Sequence, residues 1–68
     1  MMSSQYRTEA QRLEQAFADA YQAYRNHINS TPYPASEEEW AEHDRYRDRV
    51  SQASAEWGQY CSDNKHLR

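Results

Sequence analysis

The chain has 68 residues, a net charge of −3 from eleven acidic and eight basic side chains, and one cysteine. That length suits one small domain, and a single thiol excludes an internal disulfide. Mild acidity gives no electrostatic reason to seek phosphate backbones or anionic lipid, and no apolar run approaches the roughly 20 residues of a membrane span.

The start of the chain lacks the apolar middle of a signal peptide, so a cytoplasmic protein with no membrane partner is expected. Large aliphatic side chains are scarce. Beyond Met1 and Met2 there are Leu13, Ile28, Val50 and Leu67, joined by Phe17. The apolar payload is carried instead by six tyrosines, two tryptophans and that phenylalanine. Each ring can bury about 150–250 Å² but has edges or tips that tolerate water. A compact chain of this size buries only about 60% of its unfolded surface. A chain that stays unfolded until bound is therefore the competing reading.

Before the middle of the chain, apolar residues fall at Tyr6, Ala10, Leu13, Phe17, Ala20 or Tyr21, Tyr24 and Ile28. Steps of three and four trace one stripe of an amphipathic helix. Arg7, Gln11, Asp19, Gln22 and Arg25 face the other way. Ser3 or Ser4 can cap its start, and Thr8 with Gln11 forms a second candidate capping box. The first helix is expected over about residues 4–29.

Residues 30–35 then break the pattern. Pro32 and Pro34 disfavour helical backbone at the residues before them and hold Tyr33 on a short stiff segment. Ser36 followed by Glu37, Glu38 and Glu39 reads as a new start. The serine accepts from the Glu39 amide, Glu39 reaches back to the Ser36 amide, and Ala35 and Trp40 occupy the flanking staple positions. Three carboxylates also meet the positive end of the helix dipole. The second stripe runs Trp40, His43, Tyr46 or Arg47, Val50, Ala53 or Ser54, Trp57, Tyr60 or Cys61, Asn64 and Leu67. A second helix is expected over about 36–63, continuing past Gly58.

A short link between two long helices folds them back antiparallel. The expected fold is an all-α helical hairpin spanning residues 1–68. One hairpin leaves part of each apolar stripe wet, so two copies are expected to close as a four-helix bundle. Leu13, Phe17, Tyr24, Val50, Trp57 and Tyr60 would be the dimer core, with Phe17 and Trp57 deepest.

The search for chemistry is short. The Glu-x-x-His spacing of bundle di-iron sites is absent: Tyr24 precedes His27 by three and Trp40 precedes His43 by three. Glu39 and His43 share a face, but two ligands fall short of a tetrahedral site. Cys61 lies on the apolar stripe, where a thiol behaves as a small buried group. No phosphate-binding loop or nucleophile elbow is present. Neither an enzyme nor a cofactor is expected.

Arg45 and Arg49 share a face with Tyr46 adjacent, yet Asp44 and Asp48 interleave and can pair with Arg47 and Arg45. Binding to nucleic acid is therefore a minor reading. Protein recognition is better supplied, since Tyr, Trp and Arg are the residues enriched at binding hot spots. Tyr33, Trp40, Arg45 and Arg49 are the candidate contact residues, with Tyr33 held where no helix stripe absorbs it. The leading expectation is a non-enzymatic module, an adaptor, inhibitor or regulator that binds a larger protein. Its format suits phage or mobile-element proteins that block a host enzyme. A self-assembling subunit or secretion-type co-chaperone is the alternative, and a small nucleic-acid-associated regulator the third.

Overall fold

The computed structural model describes residues 4–68. Met1, Met2 and the Ser3 cap lie outside them. Helix α1 covers Ser4–Ser30 and helix α2 covers Glu37–Asp63, packed against each other and followed by a single 3-10 turn over Lys65–Leu67. Two helices side by side make a flat rod whose Cα atoms span 51 × 17 × 11 Å. No helix of the described residues is long and apolar enough to cross a membrane.

Helix α1 runs through Thr8 without a break, so the Thr8–Gln11 pair does not mark its start. It ends one residue beyond the expected Asn29. The Ser30 hydroxyl donates to the Asn26 carbonyl (3.0 Å) and the Thr31 amide to the His27 carbonyl (2.8 Å). Pro32 then has no N–H with which to continue. At the start of α2, Ser36 is extended (φ −142°, ψ 165°) and its hydroxyl accepts from the Glu39 amide at 3.2 Å. The return bond differs from the expected one. Glu39 Oε2 accepts from the Ala35 amide at 2.5 Å rather than from Ser36. Ala35 is the first residue after Pro34 with an N–H to offer, and the extended backbone at Ser36 lays it over the first turn. Nor does the Ala35–Trp40 staple close. Both residues are exposed, and the indole turns instead to His43, with ring centroids 5.6 Å apart.

Asn64 ends α2, its backbone amide (3.1 Å) and its side-chain amide (2.9 Å) both donating to the Tyr60 carbonyl. Gly58 sits inside the helix, at a cost of about 1 kcal/mol relative to alanine. A methyl group added there would meet nothing within 4 Å.

The seam settles three of the four ambiguities of the sequence stripes, and Tyr60 and Cys61 are both half-buried. On α1, residues 6, 10, 13, 17, 20, 24 and 27 turn inward; on α2, residues 43, 46, 50, 53, 57, 60 and 64 do so. Alternating steps of three and four form a heptad seam. It takes Ala20 and leaves Tyr21 44% exposed, and it takes Tyr46 and Ala53 rather than Arg47 and Ser54. Among the described residues only Tyr6, Leu13 and Ala20, seven residues apart on α1, are buried, and none of them is completely closed off from solvent. Phe17 and Trp57 meet with their rings tilted by 35° and centroids 5.8 Å apart but stay half-buried, as do Tyr24, Val50 and Tyr60. A layer two helices wide covers its midline and leaves the rings beside it open.

The outer faces are laced by local pairs one helical turn apart. Gln15 donates to Asp19 (2.9 Å), Gln22 to Asn26 (3.0 Å), Gln52 to Glu56 (3.2 Å) and Gln59 to Asp63 (2.8 Å). Arg12 pairs with Glu9, and Arg47 with Asp44 at 3.3 Å. Such pairs each contribute a few tenths of a kcal/mol to an isolated helix, so packing along the seam must supply most of the rest.

Candidate functional site

The turn between the helices presents its one aromatic side chain outward. Tyr33, bracketed by Pro32 and Pro34, is 89% exposed. Trp40, on the first turn of α2, is 52% exposed. Arg45 and Arg49 line a shallow depression on α2 with Glu42 and Tyr46. The Arg49 guanidinium stands 6.0 Å from the Tyr46 ring centroid, a cation–π arrangement. The expected Asp48–Arg45 pair is not formed among the described residues, whereas the Asp44–Arg47 pair is.

These four candidate residues do not make one patch. Trp40 and Arg49 are nine residues apart, which at about 100° per residue puts them on opposite sides of α2. Arg45 and Arg49 are one turn apart and share a face. The hairpin therefore offers a tip at Tyr33, a basic-aromatic flank at Arg45, Tyr46 and Arg49, and a different flank at Trp40.

That second flank is richer in rings than the sequence stripes implied. Phe17 stacks on Tyr21 (6.1 Å) and meets Trp57, and the Arg25 guanidinium lies 5.9 Å from the Tyr21 centroid. Nearer the turn, Tyr24 meets His43 (5.6 Å), which meets Trp40. Tyr24 is seven residues beyond Phe17 and so continues the same face. The result is a band of aromatic side chains from the middle of the hairpin to the start of α2.

Behind that band sits a cluster that sequence reasoning missed. His27 stacks on Tyr46 with centroids 4.5 Å apart and planes 15° apart, and lies 5.9 Å from His43. His27 Nε2 and His43 Nδ1 are enclosed without a hydrogen-bond partner, each at a cost of about 1–3 kcal/mol. The signal was available: folding the chain about its prolines brings residues near 27 against residues near 43 and 46. Sequence spacing relates each histidine only to neighbours on its own helix. Among the described residues, no three His, Cys, Asp or Glu side chains gather as a metal ion would need.

At the open end of the hairpin, Tyr6 stacks on Tyr60 with centroids 5.7 Å apart. A hydrogen bond with Cys61, and burial after it, hold the Tyr6 phenol above its usual pKa. Cys61 is a free, half-buried thiol. On the surface of α1, the hydrogen bond from Arg12 holds the Glu9 carboxyl below the usual carboxylate range. No protein-family model, no curated protein and no solved structure matches this chain.

Proposed function

We propose that this hairpin acts by binding another, larger protein, as an adaptor, inhibitor or regulator, without chemistry of its own. In this reading it works in the cytoplasm as a homodimer whose four helices form a bundle. The observation that carries the proposal is Tyr33. A large ring 89% exposed between two prolines has lost most of its backbone freedom before any partner arrives, and that freedom is part of what binding otherwise costs. Tyrosine also loses little side-chain entropy for the contact area it supplies. The Arg45, Tyr46 and Arg49 flank offers a second, charged contact.

The test is site-specific photo-cross-linking in cells of the native host. A benzoylphenylalanine at position 33 is expected to give adducts with one other protein, and the same group at position 15, on the hydrogen-bonded outer face of α1, is expected to give none. Tyr33→Ala should keep full helix content and lose the partner. Adducts only with the chain itself, or equal adducts from both positions, would reject the reading.

A further inference from the structure

Gly58 has no explanation within one chain. It lies in regular helix with no positive φ, no neighbour crowds it, and glycine weakens the helix it sits in. It is also eighteen residues, five helical turns, from Trp40, so the two share one side of α2. One is a half-exposed indole and the other a gap of the kind an indole could enter. They are symmetric about Arg49, one residue from the midpoint of α2 (Glu37–Asp63).

We propose that a second copy of the chain covers the aromatic face, packed head to tail about a two-fold axis level with Arg49, with each Trp40 seated over Gly58 of the partner subunit. This rests on the homodimer reading above and fixes its geometry. In this arrangement α2 runs antiparallel over the partner's α2, and α1 over the partner's α1.

Three further observations point the same way. The chain exposes 5279 Å², whereas a compact monomer of 8.1 kDa exposes about 4500 Å². The excess, roughly 800 Å², comes from the flat rod shape (51 × 17 × 11 Å), and it matches in size what each partner contributes to a standard interface.

Charge decides the direction. Residues 19–48, the turn half, hold seven acids and three bases, net −4; the remaining residues hold four acids and five bases, net +1. Copies with their turns at the same end would bring the acidic halves together, whereas head to tail sets Glu37, Glu38 and Glu39 near Lys65, His66 and Arg68 of the partner subunit.

Helix α1 supplies an independent check. Tyr6 against Tyr60 and His27 against Tyr46 put Ala20 level with Val50 across the seam. The axis at Arg49 is one residue away, level with Tyr21, so it carries Arg25, already beside Tyr21, to within about one turn of the level of the partner's Glu14. Both residues flank Tyr21 on one face, Glu14 two turns before it and Arg25 one turn after.

Sedimentation equilibrium of the full chain tests the contact. The wild type is expected to be a dimer. Trp40→Ala and Gly58→Leu should each raise the dimer dissociation constant at least tenfold without loss of helix. The leucine is a better helix former placed in open space, so a folding defect would not explain its effect. Combining them should add little to either alone, and Gln52→Ala, on an outer face, should change nothing.

Direction is read from nitroxides on Thr31→Cys in a Cys61→Ser background. Head to tail gives an interspin distance of roughly 30 Å or more, twice the ten-residue rise from the axis at the level of Tyr21 to Thr31, and same-end packing gives one of about 20 Å or less. A monomer at every concentration, mass that keeps growing with concentration, a Gly58→Leu dimer of wild-type affinity, or the short distance would each overturn the proposal. If the chain is a dimer but the distance is short, the homodimer stands and this geometry falls. If it is a monomer that still cross-links through position 33, partner binding stands alone.

Discussion

Replacing Ser36 with alanine removes one hydroxyl and tests whether the start of α2 is held as described. The hydroxyl accepts from the Glu39 amide at 3.2 Å, and loss of a serine N-cap costs about 0.5–2 kcal/mol, typically about 1. Glu39 is fixed by the same geometry, since its carboxylate accepts from the Ala35 amide at 2.5 Å. Without the cap that charged bond loosens, so Ser36→Ala belongs near the upper part of the range, about 1.5 kcal/mol. In a chain of this size about 1 kcal/mol moves Tm by about 4–8 °C, so a fall of roughly 6–12 °C is expected. The assay is thermal and urea unfolding followed by far-UV circular dichroism. Protein concentration must be fixed, because self-association makes Tm depend on it. Ser30→Ala is the internal control: its hydroxyl only donates back to the Asn26 carbonyl, a bond that offers a helix little, and its Tm should fall by less than about 2 °C by the same scaling. Equal losses in the two variants would refute the argument, because they would show that the cap adds nothing beyond the removal of a serine.

Two other outcomes are expected. Leu13→Ala removes the one large aliphatic side chain buried among the described residues and should cost about 2–5 kcal/mol. The half-buried Trp57 should cost about 2–3 kcal/mol on truncation, from roughly 100 Å² covered within the chain, and a larger penalty for Trp57 than for Leu13 in dilute urea melts would contradict the burial described. The second outcome concerns acid. Glu9 titrates below its unfolded value because Arg12 donates to it, so the stability it contributes is present above the unfolded carboxylate pKa and lost as pH falls through the folded one. Carbon-detected NMR titration should show the Glu9 pKa rise in Arg12→Ala, and an unchanged value would remove Arg12 as the cause.

The hairpin itself was legible because its signals are local and agree with one another. Prolines at 32 and 34, a serine and three glutamates leave one reading of where a helix stops and the next begins. The seam was legible only to within a neighbour, because Ala20 and Tyr21, or Tyr46 and Arg47, differ by about 100° and both border the stripe. Which of them turns inward depends on where the other helix lies. The same limit explains Trp40, which begins the apolar stripe of α2 yet stands above the first turn with little of α1 beside it. The histidine pair was invisible for a related reason: His27 and His43 belong to different helices and meet only once the chain has folded back. Of the candidate site, the exposure of Tyr33 followed from two prolines and a gap in the periodicity. The separation of Trp40 from Arg45 and Arg49 was countable from spacing alone and needed only the helix to be drawn as a circle.

The seven-residue spacing of Tyr6, Leu13 and Ala20 makes this architecture extensible in whole units. Seven residues added to each arm at the same level would lengthen the rod by about 10 Å while every ring kept its neighbour. Three or four added to one arm alone would swing everything beyond the insertion out of line. The molecule behaves in this respect like a zip fastener, whose length is free but whose teeth must be counted on both sides.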